Sequence, residues 1–262
     1  MKKTVSILGC GWLGIPLAEF LIERSHIVKG STRSDEKLEH LNSKGIIPFK
    51  IVLESLDKSD IIEFLNTDVL IIATTCKNSF AFSQLMTYIE TSRLENIIFI
   101  SSTSVYPFLN RIVNENDNTI DSPLAHIEQI FASNTKIPSI ILRFAGLIGP
   151  KRNPAYFFKN DKPVRQPEGY INLIHLKDCI QIIYQLIESD IKNDTINACS
   201  DIHHKRVDFY TALAKKNQLP IPEFQNPRKV EYKIMSNKKL KQLLNYTFTH
   251  PDPLLILEEA YK

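Results

Sequence analysis

The sequence contains little that favours a disulfide scaffold or a membrane protein. Its four cysteines, Cys10, Cys76, Cys179 and Cys199, are far apart, and none forms the Cys-x-x-Cys pair of a zinc knuckle or a redox dithiol. Because Cys10, Cys179 and Cys199 lie among apolar residues, we expect buried thiols and a reducing, cytoplasmic location. No apolar run reaches the length of a membrane span, and we expect no membrane partner.

Charge of one sign and metal-binding motifs are also scarce. The formal net charge is +3 over 262 residues, with no long run of either sign, which argues against nucleic acid as the main partner. The pair His203-His204 has no third ligand nearby in the sequence, so we expect no metal site. Glu19, Glu23 and Arg24 interrupt the apolar N-terminal stretch, which argues against a signal peptide.

The first two thirds of the chain alternates between short apolar runs and amphipathic segments, a pattern typical of a parallel sheet with helical crossovers. The run Val-Leu-Ile-Ile-Ala at 69–73 suits a strand that is buried on both faces. We therefore predict an α/β fold, a Rossmann-type doubly wound parallel sheet with a small C-terminal substrate lobe. The predicted strands cover 4–8, 27–31, 46–52, 69–73, 96–101 and 139–144, and the predicted helices cover 12–24, 35–43, 57–65, 79–92 and 123–133.

The pattern changes after Gly149. Four prolines between 150 and 167 mark an irregular stretch that ends at Gly169, and they break both helix and strand periodicity. We predict an NAD(P)-binding domain at 1–149, completed by 170–199, and a smaller substrate-binding lobe at 150–169 and 200–262. The later predicted elements are helices at 176–188, 207–217 and 237–244 and a strand at 195–198.

A glycine pattern follows the first predicted strand. In the pattern Gly-x-Gly-x-x-Gly, Gly9 permits a tight turn, Gly11 lets the backbone approach a pyrophosphate, and Gly14 lets helix and strand pack closely. The following helix presents unpaired N–H groups to the phosphates. The flanking strand and helix favour a dinucleotide site over a glycine-rich turn without a ligand. The predicted contact residues in this turn and after the fourth strand are Gly9, Cys10, Gly11, Trp12, Leu13, Gly14, Ala73 and Thr74.

The end of the second predicted strand determines which dinucleotide we expect. NAD-binding proteins usually place an acid there, on the ribose 2′-hydroxyl, but this chain has Thr32 followed by Arg33. A guanidinium can clamp a 2′-phosphate, and no carboxylate is present here to repel it. Ser31 and Thr32 add hydroxyl donors. The segment predicts NADP as cofactor, with NAD possible, unless Arg33 is an ordinary solvated arginine.

Four segments in order resemble the extended short-chain dehydrogenase/reductase superfamily. Residues 97–106 are similar to its fifth strand and Ser-x-x-x-Val-Tyr turn, and residues 142–150 to its sixth strand and the loop that follows. Residues 172–178 resemble its Ile-His-Val-x-Asp signature, and residues 236–240 its late Asn-x-Lys helix. The resemblance implies a Rossmann fold, a nicotinamide cofactor and oxidoreductase or epimerase chemistry on a small-molecule substrate.

The chain departs from the superfamily at its catalytic pair. Where the superfamily has Tyr-x-x-x-Lys, this chain has Leu124 and Glu128. A leucine cannot transfer a proton, and a glutamate has the wrong charge to help a phenolate. This combination resembles an atypical subgroup, the bacterial YeeZ-like proteins of the epimerase/dehydratase family, which also have Trp12 and Leu13 within the glycine turn.

Three residues are our catalytic candidates. Ser102 matches the superfamily's catalytic serine, although it is equally compatible with a structural turn serine. Tyr106 offers a phenol, although the resemblance favours a pocket wall. Glu128 shares a helix face with Leu124 and is either a general base or a salt-bridge partner, whereas His126 points about 200° away from Leu124.

Further candidates lie towards the C-terminus. The resemblance implies that His175 and Asp178 mainly fix the return of the chain onto the sheet. Arg152 and Arg165 are candidates for binding a substrate phosphate or carboxylate. The sequence thus predicts an NADP-binding oxidoreductase or epimerase that acts on a small polar or sugar-nucleotide substrate. The alternative is a non-catalytic NAD(P)-binding sensor that has lost the tyrosine and lysine. The oligomeric state stays open.

Overall fold

A computed structural model describes residues 2–158, 163–256 and 261. Its strands are β1 (Thr4–Leu8), β2 (Ile27–Thr32), β3 (Ile47–Lys50), β4 (Val69–Ile72), β5 (Asn96–Ser102), β6 (Ile112–Val113), β7 (Ser139–Phe144), β8 (Gly146–Ile148), β9 (Val164–Arg165), β10 (Leu173–His175), β11 (Asp194–Ala198), β12 (Phe224–Gln225) and β13 (Ile234–Met235). Its helices are α1 (Gly14–Glu23), α2 (Leu38–Ser43), α3 (Lys58–Leu65), α4 (Ser79–Ile89), α5 (Pro123–Ala132), α6 (Leu176–Glu188), α7 (Arg206–Lys216) and α8 (Lys238–Leu244).

The central sheet has seven parallel strands in the order β11-β7-β5-β4-β1-β2-β3. Strand β1 lies between β4 and β2, and it pairs in parallel with both of them. The chain therefore moves outward from β1 in two directions, which is the arrangement that defines a doubly wound sheet. The predicted α/β Rossmann-type fold is confirmed.

Burial along the strands follows their place in the sheet. All four residues of β4 are buried, as the apolar run at 69–73 predicts for an inner strand of a parallel sheet. Strand β3 spans four residues, none of them fully buried, instead of the seven that we predict for 46–52. The reason is that β3 is an edge strand that pairs with β2 alone.

Local sequence accounts for the start of several helices. The side chain of Asp57 accepts hydrogen bonds from the Ser59 and Asp60 amides at the start of α3. Ser122 accepts one from the Ala125 amide, and Pro123 occupies the first turn of α5. These are ordinary N-cap contacts, which satisfy amides that have no partner within the helix. Helix α5 therefore begins where we predict it.

The chain divides into two compact units, each with its own apolar core. The first comprises Met1–Ser101, Asp121–Leu142 and Ile180–Thr195, and the second comprises Ser102–Ile120, Arg143–Cys179 and Ile196–Lys262. Phenylalanines 64, 82, 99 and 131 lie in the core of the first unit, and Phe209 and Tyr210 lie in that of the second. Our predicted domain boundaries remain a prediction, and residues 159–162, 257–260 and 262 of the predicted lobe lie outside the described residues.

Several short strands have no counterpart in the prediction. Strands β8 and β10 pair in parallel, as do β9 with β12 and β6 with β13. Strands of two or three residues are too short to show a hydrophobic period. Within the described ranges, no helix is long and apolar enough to cross a membrane.

Candidate functional site

The three glycines after β1 differ in whether the surrounding structure requires a glycine. Gly9 has a φ of +107°, and a Cβ there would lie 2.7 Å from the Ala73 carbonyl oxygen. A Cβ on Gly14 would collide with the Gly9 carbonyl oxygen, whereas a Cβ on Gly11 would meet nothing within 4 Å. The fold therefore requires glycine at 9 and 14, while position 11 borders open space.

The second strand holds this turn in place. The Cys10 amide donates to the Ser31 carbonyl at 2.9 Å, and the Gly9 amide donates to the Ser31 hydroxyl oxygen at 3.0 Å. Ser31 is 2% exposed, so its hydroxyl supports the turn instead of facing outward as a phosphate donor. Burial raises the pKa of the Cys10 thiol to about 12, which keeps that thiol protonated and unreactive.

The residues after β4 adjoin the same turn. The Ala73 amide donates to the Leu8 carbonyl at 2.9 Å, which extends the pairing of β1 with β4 by one bond. The Thr74 hydroxyl oxygen accepts from the Cys76 amide at 3.3 Å. Since the strands are parallel, the ends of β1, β2 and β4 share one edge of the sheet, where ligands of doubly wound folds bind.

A carboxylate lies beside Arg33, which corrects one premise of the sequence prediction. The Glu54 Oε2 atom is 3.7 Å from the Arg33 Nη2 atom, although the two residues are 21 positions apart in the sequence. Strand β3 pairs with β2, so the turn that follows β3 lies next to the residue that follows β2. The Thr32 hydroxyl oxygen accepts from the Ser34 amide at 3.3 Å.

Glu128 is buried on α5. It is 4% exposed, and the Ser101 hydroxyl donates to its Oε1 atom at 2.5 Å. Leu124, on the same face, packs partly buried against the core of the first unit. His126 points to solvent, with its Nε2 atom 2.6 Å from the Asp121 carboxylate and its side chain 62% exposed. This confirms that His126 and Glu128 lie on different faces.

The turn after β5 uses the Ser102 hydroxyl as a cap. Its oxygen accepts from the Ser104 amide at 3.1 Å, at the start of the short 3₁₀ turn Thr103–Val105. Ser102 itself is half-buried. One lone pair of this oxygen is therefore used in the turn, as the structural interpretation predicts. The hydroxyl proton and the second lone pair leave the catalytic interpretation open.

Tyr106 is enclosed, which argues against the proton-transfer role that we assigned to it. It is 2% exposed, its hydroxyl donates to the Asn197 Oδ1 atom at 3.1 Å, and the same oxygen accepts from the Arg143 Nη1 atom at 2.5 Å. Burial raises the pKa of the phenol, and the Arg143 guanidinium opposes that rise. A phenol bound on both sides acts as a fixed wall, the role that the resemblance favours.

Lys233 is a contact that sequence reasoning missed. Its Nζ atom donates to the Thr103 carbonyl at 2.9 Å and to the Tyr106 carbonyl at 2.5 Å. Burial lowers the pKa of this ammonium to about 8. No local motif marks the residue, because its partners lie 127 and 130 positions away. Lys233 thus tethers the turn that begins at Ser102.

Asp178 anchors the segment after α8. It is fully buried, and it accepts from the Tyr246 hydroxyl at 2.8 Å, the Thr249 amide at 2.7 Å and the His250 amide at 3.1 Å. The ring of His175 lies 4.0 Å from that of His250, centroid to centroid. These contacts confirm the structural interpretation of His175 and Asp178, since both fix the path of the chain.

The two substrate candidates lie on the surface of the second unit. Both Arg152 and Arg165 are exposed. The Arg152 backbone forms a bridge with Gly149, and the Arg165 carbonyl accepts from Arg206 at 3.1 Å. These contacts fix the two backbones, and the substrate roles of both side chains remain predictions.

The adjacent histidines His203 and His204 contact different partners. The His203 Nδ1 atom lies 3.1 Å from the Ile171 carbonyl oxygen, and the His204 Nε2 atom lies 2.7 Å from the Asp252 carboxylate. Cys10, Cys179 and Cys199 are buried as predicted, and all four cysteines are free thiols.

The comparisons with known proteins agree with the fold. No family model matches the chain. A conserved protein of unknown function from Silicibacter pomeroyi DSS superposes with a TM-score of 0.82 at 19% identity, covering 97% of this chain and 96% of that one. A UDP-glucuronic acid 4-epimerase from Bacillus cereus, solved with NAD, superposes with a TM-score of 0.75 at 20% identity, covering 98% and 97%.

One curated relative is similar over almost the whole length. Protein YeeZ of Escherichia coli (strain K12) is 31% identical over 273 aligned positions, which cover 98% of this chain and 99% of that protein. This likeness confirms the resemblance that the glycine turn and the segment ending at Tyr106 predict. The chain belongs to the YeeZ family of proteins.

Proposed function

We propose that the protein binds NADP(H) at the carboxyl edge of its central sheet and acts as an oxidoreductase or epimerase on a small polar or sugar-nucleotide substrate. The observation that carries this proposal is the open space beside Gly11. That space lies at the end of β1, where the strand order changes direction between β4 and β2. In doubly wound folds this switch point is the place where dinucleotides bind.

The residues of the first unit fit such a cofactor. The backbone amides of the glycine turn and the start of α1 would hold the pyrophosphate, with Ala73 and Thr74 on the neighbouring strand end. Arg33, whose side chain is 71% exposed, would contact a 2′-phosphate through its guanidinium. A bound nicotinamide supplies reversible hydride transfer. The similar epimerase from Bacillus cereus, solved with NAD, supports a nicotinamide dinucleotide as the cofactor.

Two side chains remain candidates for acting on a substrate. Ser102 would donate its hydroxyl proton to a substrate oxygen, since its capping bond uses the oxygen as an acceptor. Glu128 would accept a proton through its carboxylate, one oxygen of which is bound by the Ser101 hydroxyl. The sugar-nucleotide class is suggested by the fold neighbour that acts on UDP-glucuronic acid.

A second candidate function is a non-catalytic NADP(H) sensor. It is favoured by Leu124, which packs against the core where the superfamily has its tyrosine, and by the enclosed hydroxyl of Tyr106. In a sensor, the same dinucleotide would bind, and the resulting conformation would be recognised by a partner protein. Cofactor binding therefore does not distinguish the two functions, but catalysis does.

A double variant tests the enzyme against the sensor. We expect Leu124→Tyr with Glu128→Lys to gain NADPH-dependent reduction of carbonyl compounds, because the two residues share one face of α5 and restore the phenol and ammonium as a unit. The measurement is NADPH oxidation with a panel of sugar-nucleotide and simple ketone substrates. Each single variant should gain little.

Leu124→Tyr with His126→Lys is the matched control, because it adds the same groups but places the ammonium on the solvent face. Activity in the first variant and not in the control supports the enzyme. A folded double variant that binds NADPH and stays inert across the panel contradicts the enzyme, and the sensor then becomes the better account.

A further inference from the structure

Three side chains, each from a segment that follows a different strand, lie together at the carboxyl edge of the sheet. Arg33 follows β2, Glu54 lies in the turn Leu53–Ser55 that follows β3, and Cys76 lies four residues beyond β4. Because these strands are parallel, their ends share the edge that carries the glycine turn. Charges at this position act on whatever binds there.

Glu54 is held between two of these partners. Its Oε2 atom lies 3.7 Å from the Arg33 Nη2 atom, and its Oε1 atom lies 3.8 Å from the Cys76 Sγ atom. A nearby acid, Asp35, is bound by Lys50 at 2.6 Å. Glu54 is therefore the carboxylate that the structure places against Arg33.

The two cofactors differ at one group that would feel this pair. NADP(H) carries a phosphate on the adenosine ribose where NAD(H) has a neutral hydroxyl. Arg33 attracts that phosphate, but Glu54 competes for the same guanidinium and also repels the phosphate directly. Neither effect applies to the neutral hydroxyl. The Arg33–Glu54 pair thus changes the affinity for NADP(H) and leaves the affinity for NAD(H) unaffected.

We propose that Glu54 is a specificity-determining residue, which limits the preference for NADP(H) over NAD(H) by neutralising Arg33. This inference rests on the proposed function, since it needs a dinucleotide at this edge. It assigns the pair a definite result: the wild-type protein keeps only a weak preference for NADP(H) over NAD(H). A chain with Arg33 alone at this edge would instead favour NADP(H) strongly.

The test is calorimetric titration of NADPH and NADH into the full-length wild-type protein and four variants. We expect Glu54→Gln to tighten NADPH binding about fivefold, because it removes one partly screened negative charge near the phosphate. NADH binding should stay within about twofold, because its ribose hydroxyl is neutral. Adenosine 2′,5′-bisphosphate and adenosine 5′-monophosphate, titrated in the same way, isolate the effect on the 2′-phosphate.

Glu95→Gln is the matched control, because it makes the same change of net charge on an exposed residue just before β5, at the opposite edge of the sheet. We expect it to leave the ratio of the two affinities unchanged. In the Arg33→Ala background, the gain from Glu54→Gln should fall to about twofold, because competition for the guanidinium is gone and only direct repulsion remains.

Several results would overturn the inference. If the wild type binds both cofactors and Glu54→Gln leaves their affinity ratio unchanged, Glu54 has no role in selectivity, although the proposed function stands. Equal gains in the presence and absence of Arg33, or an equal gain from Glu95→Gln, would show a general charge effect. A wild type that binds neither cofactor nor either adenosine probe overturns both the proposed function and this inference.

Discussion

Substitutions at Gly11 and Gly14 distinguish a glycine that leaves room for a ligand from a glycine that the packing of the fold requires. At Gly11 the φ lies outside the left-handed region and a Cβ would meet nothing within 4 Å, so we expect Gly11→Val to change the free energy of unfolding by less than about 1 kcal/mol. At Gly14 a Cβ would collide with the backbone carbonyl of Gly9. We expect Gly14→Ala to lower that free energy by roughly 2–3 kcal/mol.

The binding result should be the reverse of the stability result. In Gly11→Val the isopropyl group occupies the space through which the pyrophosphate would reach the backbone amides. Losing two charge-assisted hydrogen bonds costs about 3–6 kcal/mol, which is about a hundredfold or more in the NADPH dissociation constant. The stability of each variant is measured by urea unfolding, and its affinity by calorimetry.

The reasoning would be refuted by a native-like Gly11→Val variant that binds NADPH within a few-fold of wild type. That outcome would mean that the open space beside Gly11 is not where the dinucleotide binds. If Gly11→Val were instead as unstable as Gly14→Ala, the turn would be closed in solution, and the loss of binding would carry no information about the site.

Two further predictions concern the second unit. Asp178→Asn removes one acceptor oxygen from a fully buried carboxylate. We expect it to lower the free energy of unfolding, measured by urea unfolding, by about 2–3 kcal/mol. The control is Asp190→Asn at an exposed position, which should change that free energy by less than about 0.5 kcal/mol. Burial holds the pKa of Lys233 at about 8, below its value in the unfolded chain. From about pH 8 to 10.5 the unfolded chain therefore binds more protons than the folded chain does. This group accordingly makes the free energy of unfolding rise with pH in that window. The unfolding free energy of wild type minus that of Lys233→Met should increase across that window, and a flat difference would contradict the buried ammonium.

The short-range part of the candidate site could be predicted from the sequence. Glycines 9, 11 and 14 mark a turn, an open approach and a helix packed on a strand. Gly9 also lies against the Ala73 carbonyl of a distant segment, but the glycine pattern that predicts all three positions is local. The same holds for the caps of α5 and for the loss of the tyrosine at 124. Periodicity likewise predicts the inner strands, since residues buried on both faces form an unbroken apolar run such as that of β4.

Only the tertiary structure decided which charged and polar groups contact one another between distant segments. Glu54 faces Arg33 because β3 pairs with β2, and Lys233 reaches the turn after Ser102 from 130 positions away. The Tyr106 hydroxyl is enclosed because Asn197 and Arg143 both bind it. Hydrogen bonds and ion pairs act over a few ångströms, irrespective of distance along the chain. The sequence therefore determined the fold and the glycine turn, whereas the ion pair beside that turn arose only when separate strands came together.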